Sequence, residues 1–221
     1  MNVITAKLRA ELSRGTSSSA IYDMVATAIR ECREPGGILV DVGCGTGNLW
    51  NNLSDRFDRY LGVDIVQFNG FPATGEFFEL DLDSGRAPLP DGVADVVASV
   101  ETIEHLENPR ALFRELVRLC KPGGWVIVTT PNQLSMLSKA TLILKNQFNA
   151  FTDSSYPAHI TALLEIDLRR MAKEIGLEKV QICYTCSGRI PGTGVQFPKM
   201  ISSIFPRFFS DNLMLIGRKS L

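Results

Sequence analysis

The sequence predicts an α/β fold, a mostly parallel sheet with helices on both of its faces. Three observations predict it. Short apolar, β-branched runs alternate with helix-patterned segments as far as Pro131. Three glycines, Gly43, Gly45 and Gly47, fall where the first of those runs would pass into a helix. The 221 residues, 45% hydrophobic and 21% charged, suffice for one sizeable core.

The elements follow in order. Ile21, Met24, Val25, Ala28 and Ile29 recur at helical spacing, which predicts a helix over 17–33 with serines as N-caps. "GILVDV", after Pro35-Gly36-Gly37, reads as a buried parallel strand. A helix over 48–57 and strands at "RYLGVDI", "EFFELDL" and "VADVVASV" come next. Leu112, Phe113, Leu116, Val117 and Leu119 mark the inner face of a helix over 108–119, which "KPGG" stops before the strand "WVIVTTP". Val40, Val63, Val96, Val97, Ile127 and Val128 are expected to be buried in the sheet. Beyond it the pattern weakens. Helices are expected around 134–144 and over 166–175, the second closed by Gly176, and last strands at "LEKVQICYT" and "NLMLIGR". Residues 186–211, rich in Gly, Pro and Phe, have no readable element.

Bulk properties exclude some functions. A net charge of −1 gives no global attraction to nucleic acid or to anionic membranes, and no nucleic-acid partner is expected. Five cysteines without a framework spacing point to a reducing, cytoplasmic setting. The first residues lack the apolar core of a signal peptide, and no stretch has the length of a spanning helix. Cys183 and Cys186 form a C-x-x-C, but residues three apart on a strand face opposite ways and no second pair exists for zinc.

"ILVDVGCGTGNL" is the strongest motif. Glycines there let the chain turn tightly and let a ligand approach the backbone, and helix-terminal N–H groups would face that ligand. Asp64 ends the next strand, at a distance that suits a carboxylate accepting two ribose hydroxyls. A tight turn without a ligand is the plain alternative. Cys44, inside the loop, reads as small-residue filler.

"VDVGCGTG", "GVDI" and "LPDGVADVVASVETIEHLENPRALFRELVRLCKPGGWVIVTTPN" together resemble a class I S-adenosylmethionine-dependent methyltransferase, over roughly residues 36–132. The resemblance implies a Rossmann-like, doubly wound sheet of seven strands whose last strand is antiparallel. It implies one domain over 1–221, with a helical cap (1–35), a cofactor-binding core (36–131) and substrate or lid insertions (132–165 and 186–211). Carried over by position, Asp41, Gly43 and Gly45 would approach the amino-acid part of the cofactor, with Cys44 and Gly47 also among the cofactor-binding residues. Asp64 would hold the ribose, with Ile65 beside it as a cofactor-binding residue, Asp81 and Leu82 would lie at the adenine, and Val100 and Glu101 would close the methionine side.

"VETIEHLENP" places Glu101, Glu104 and His105 at i, i+3 and i+4, on one face if the segment makes a helical turn. E-x-x-E-H here is similar to O-methyltransferases of ubiquinone synthesis, and to small-RNA 3′-terminal 2′-O-methyltransferases, where it supplies metal ligands with a distant histidine. The chain has one other histidine, His159. Glu101, Glu104, His105 and His159 are therefore expected to hold a divalent cation, with His105, Glu104 and His159 as catalytic groups. The bland reading makes Glu101 a cofactor contact, Glu104 a solvated acid and His105 a packing residue. The expected reaction is O-methylation of a small-molecule, glycan or lipid-linked hydroxyl. The alternatives are a metal-dependent RNA 2′-O-methyltransferase and a cofactor-binding regulatory protein without turnover. Phe197, Ile201, Ile204, Phe205, Phe208 and Phe209, with Lys199 and Arg207, would suit an apolar acceptor or peripheral contact with the inner face of a membrane; core packing beneath a lid is the equal alternative.

Overall fold

The computed structural model describes residues 5–221. Its seven strands are β1 (Ile38–Val42), β2 (Arg59–Asp64), β3 (Glu76–Glu79), β4 (Ala94–Ser99), β5 (Cys120–Pro131), β6 (Leu177–Tyr184) and β7 (Asn212–Lys219). They form one sheet in the order β3-β2-β1-β4-β5-β7-β6. β1 to β5 pair in parallel, and β7 runs antiparallel to both β5 and β6. The expected sheet of seven strands with an antiparallel last strand is thus the one found.

Eight helices accompany it among the described residues: α1 (Ala6–Ser13), α2 (Ser19–Cys32), α3 (Asn48–Asn51), α4 (Pro109–Leu119), α5 (Met136–Lys145), α6 (Glu165–Glu174), α7 (Lys199–Ile204) and α8 (Pro206–Phe209). Strand side chains alternate between faces, so each strand serves two cores. Val40, Val97 and Val128 pack with Leu112, Phe113 and Leu116 of α4 and Leu168 of α6. Leu39, Val96 and Ile127 pack with Ile21, Val25 and Ile29 of α2. All six sheet residues expected to be buried are fully buried. The start of α4 is set by sequence chemistry: Asn108 Oδ1 accepts from Ala111 N (3.0 Å), and Pro109 stands where no N–H is needed.

Three segments depart from expectation. α3 stops at Asn51, not Phe57, and turns carry the chain onward. Asn51, Asn52, Ser54 and Asp55 compete for the backbone there and favour turns over helix. β5 begins at Cys120, so "KPGG" lies within its span. α1 falls within the helical cap expected over 1–35, but no helix was delimited there: its apolar pattern is weak, and a buried charge holds it instead. Arg9 reaches Asp83 (2.8 Å) and Glu107 (3.2 Å) across the carboxyl end of the sheet.

Behind α1 the chain docks on the glycine loop. The Gly15 carbonyl accepts from Thr46 N (2.9 Å) and Thr46 Oγ1 (3.1 Å). Gly45 lies beneath it with φ +53°, and a Cβ there would overlap the Gly15 carbonyl. Gly45→Ala should therefore cost about 1–3 kcal/mol in backbone strain and displace the 13–16 segment. Denaturant unfolding and limited proteolysis after Arg14 check both; an unchanged midpoint with no new cleavage would contradict it.

Candidate active site

A cleft of about 360 Å³ opens at the carboxyl ends of β1, β2 and β4, roofed by α1 and the start of α2. The strand order reverses between β1 and β4, the place where open α/β sheets bind ligands. Of the expected cofactor residues, Asp41, Gly43, Cys44, Gly45, Asp64, Ile65, Asp81, Leu82, Val100 and Glu101 line it. Gly47 does not. It is the residue before α3, with φ +75°, and a Cβ there would strike the Pro72 ring. Its place is explained by that turn rather than by a ligand.

Asp41 is buried, and Tyr60 Oη donates to its Oδ2 (2.9 Å). Oδ1 is buried with no hydrogen-bond partner. Burial pushes the Asp41 carboxyl up to about 7, with nearby Asp64 adding to the shift. An acceptor left open on a cleft wall fits a ligand carrying a cationic N–H group. Asp64 is tied to the loop: Oδ2 accepts from Gly45 N (2.9 Å) and Oδ1 from Ile65 N (2.7 Å). Burial raises its pKa and these N–H groups oppose the rise. Cys44 is buried and its thiol is held well above its ordinary value by burial, as filler would be.

The segment after β4 is not the helical turn expected. Glu101 takes a left-handed conformation (φ 51°), and Ile103–His105 form a single 3-10 turn. In that geometry the two glutamates take different partners. Glu101 Oε1 accepts from Thr129 Oγ1 (2.9 Å) and Oε2 from Asn212 Nδ2 (2.7 Å), so both its oxygens are engaged. Glu104 is fully buried; its Oε2 accepts from Thr130 Oγ1 (3.2 Å), and its Oε1 has no partner. Burial raises both carboxyls, Glu101 further through the charge of Glu104.

The insertion after β5 returns to this turn. Ile160 N and Thr161 N both donate to the Glu104 carbonyl (3.0 Å each), and Thr161 Oγ1 donates to Leu106 O (2.6 Å). His159 is thereby set edge-on to His105, with ring centroids 4.8 Å apart. His105 Nδ1 lies 2.7 Å from Ala158 O, and His159 Nδ1 lies 2.6 Å from Ala150 O. A carbonyl only accepts, so each Nδ1 carries the proton and each Nε2 of the neutral ring is a lone pair. Burial lowers the pKa of His105; burial, then His105, pushes His159 down to about 4. Glu104, His105 and His159 each offer a ligand atom, all within 4.8 Å of one another. Glu101, expected with them, is absent from that group; its oxygens are bonded to Thr129 and Asn212 instead.

Sequence reasoning missed several cleft residues. Arg9, Tyr22, Leu80, Thr102 and Asn212 also line it. Asn212 arrives from the antiparallel strand and Arg9 from the roof, and neither has a local motif. All five cysteines are free, and Cys186, just after β6, has φ 49°.

Residues 18–182 match the family described as "Methyltransferase domain". Over 148 residues the chain is 29% identical to a malonyl-[acyl-carrier protein] O-methyltransferase of Marinomonas sp., covering 62% of this chain and 55% of that protein. Over 112 residues it is 30% identical to a ubiquinone biosynthesis O-methyltransferase of Albidiferax ferrireducens, covering 46% and 44%. The chain thus spans about half the length of these relatives. A solved S-adenosylmethionine-dependent methyltransferase of Archaeoglobus fulgidus shares the fold, with TM-score 0.63 and 18% identity over 90% of this chain and 94% of that one. With the family match covering most of its length, the chain belongs to the methyltransferase-domain family.

Proposed function

We propose that this protein transfers the methyl group of S-adenosylmethionine to the oxygen of a small or lipid-linked hydroxyl compound, with a divalent cation held by Glu104, His105 and His159. The observation that carries this reading is the meeting of those three side chains at the wall of the same cleft that Asp41 and Asp64 line. A buried Glu104 oxygen without a partner and two unprotonated Nε2 atoms make a donor set for a transition metal. The carbonyls of Ala158 and Ala150 fix both rings as outer partners of metal-bound histidines do. Both curated relatives described above are named as O-methyltransferases, which favours an oxygen acceptor.

In this reading the Asp41 and Gly43–Gly45 loop receives the cofactor's amino-acid part, and Asp64 with Ile65 receives the ribose. Asp81 and Leu82 take the adenine, and Val100 and Glu101 close the methionine side. Bound there, the cofactor supplies an electrophilic methyl group; the cation supplies a Lewis acid that lowers the pKa of an acceptor hydroxyl. The protein's own part is alignment of the acceptor with that methyl and removal of its proton. Held by Nε2 on the cation, His105 and His159 have no lone pair left for that proton, and Glu104 balances the charge. Without the cation, Nε2 of either neutral ring is the group able to take it.

The test is transfer from labelled cofactor to a panel of phenols, sugars and lipid-linked alcohols, before and after chelation. Label on oxygen, lost on chelation and restored by manganese, cobalt or zinc, is expected. Full activity after exhaustive chelation would remove the cation from the reading, and label only on nitrogen or carbon would remove the acceptor class. Asp41 gives an independent check. Its carboxyl titrates at about 7 in the ligand-free protein, and an ammonium partner would draw that value down. Binding should then release protons below that pH. Affinity should climb as pH rises towards about 7 and level before the ligand's amino group deprotonates near 8. Calorimetry in two buffers of different ionisation enthalpy checks this. Asp41→Asn should abolish the proton release; equal release from the variant would contradict the assignment.

A further inference from the structure

Within the insertions 132–165 and 186–211, the segments 132–152 and 186–210 carry five of the chain's 23 Lys and Arg and no Asp or Glu, the acids Asp153, Glu165 and Asp211 lying outside those segments. The first contains α5, the second α7 and α8. They meet in space. Asn132 Nδ2 donates to the carbonyls of Arg207 and Ser210 (2.8 Å each), and the Lys139 ammonium lies 5.1 Å from the centre of the Phe208 ring. Ile143 is one helical turn from Lys139 on the same side of α5. Both insertions carry open apolar side chains: Ile143 is 83% exposed and Leu144 82% on α5, Met200 74% and Ile204 62% on α7, and Phe205 62% between α7 and α8. Side chains of this size are seldom left so open in one neighbourhood without a partner.

The charges around this surface choose the partner. Arg189 pairs with Asp211 and Arg207 with Glu165, whereas Lys139, Lys145 and Lys199 are exposed and make no ion pair among the described residues. Apolar side chains rimmed by unpaired lysines, in a chain of net charge −1, match a bilayer with anionic headgroups: the rings enter the acyl boundary and the ammonium groups meet the phosphates. No described helix is long and apolar enough to cross a membrane, so the contact is with its surface. The position also fits. α5 leaves the carboxyl end of β5, and β7 begins at that same end with Asn212, which lines the cleft. The geometry points to α5, α7 and α8 as a docking face for an anionic phospholipid surface, set beside the mouth of the methyl-transfer cleft.

This inference goes beyond the proposed reaction and is read without turnover. The full chain is sedimented with vesicles of phosphatidylcholine alone and of phosphatidylcholine with about 30 mol% phosphatidylglycerol, at low and high salt. Binding to the anionic vesicles, weakened by salt, is expected. Ile143→Ser, Leu144→Ser and Phe205→Ser combined should weaken it at least roughly tenfold, and Lys139→Glu, Lys145→Glu and Lys199→Glu combined should erase the preference for anionic lipid. S-adenosylhomocysteine affinity, measured alongside, should stay at the wild-type value in both variants and shows that they are folded. Wild type that binds S-adenosylhomocysteine but ignores anionic vesicles overturns the proposal. So does equal binding to neutral vesicles. A dimer in light scattering that the triple serine variant dissociates, with no vesicle binding, would assign the face to a second copy of the chain instead.

Discussion

Asp64→Ala should weaken S-adenosylmethionine binding by roughly a hundredfold or more. A carboxylate that accepts two ribose hydroxyls is worth about 1.5–3 kcal/mol for each charged hydrogen bond, and each 1.4 kcal/mol is about tenfold in affinity. The structure adds a second cost. Gly45 N and Ile65 N both donate to this carboxylate, so the alanine variant also loosens the glycine loop. Leaving such a buried N–H unpaired costs about 1–3 kcal/mol of stability. Asp64→Asn separates the two effects, because its carbonyl oxygen can still accept from Gly45 N while the charge is gone. Calorimetry with S-adenosylhomocysteine, on protein shown to be folded by circular dichroism, is the measurement. Wild-type affinity in Asp64→Ala would take the ribose away from Asp64.

His159→Ala carries the second large effect. It removes one of the three proposed metal donors while leaving Asp41, Asp64 and the loop untouched. Metal affinity should fall by more than the roughly 10–100-fold that changes in outer partners of a metal site cost. Cofactor affinity should move by less than about threefold, under about 0.7 kcal/mol. The variant has a pH signature as well. His159 titrates at about 4 in the folded chain against its ordinary 6.5. Between those values the unfolded chain binds more protons, so stability contributed by the neutral ring is lost as pH falls through that window. Metal-free His159→Ala should therefore lose less stability than wild type between pH 6.5 and 4. An equal loss, with unchanged metal binding, would remove His159 from the site.

Much of the fold could be read from the sequence because its signals are local. β1, β4 and β5 are runs of β-branched residues, and α4 has an apolar stripe between Asn108 as N-cap and the glycines after it. The cleft floor was legible for the same reason: the glycines and Asp64 lie at strand ends that the pattern fixes. What could not be read depends on distant partners. α1 is fastened by Arg9 to Asp83 and Glu107, and nothing near Arg9 in the chain announces either acid. Glu101 was grouped with Glu104 on the assumption of helical spacing. Its left-handed backbone and the arrival of Asn212 from β7 turn its carboxylate elsewhere. His159 could be named as a candidate because only two histidines exist. Its position rests on backbone bonds from residues 160 and 161 to the Glu104 carbonyl, which no pattern encodes.

The most direct test of the account is a crystal grown with S-adenosylhomocysteine and manganese or zinc, measured by anomalous scattering. The account predicts an anomalous peak about 2.0–2.2 Å from Glu104 Oε1 and from Nε2 of His105 and His159, with the cofactor product in the cleft beside it. Full density for the product with no peak among those three side chains would contradict it.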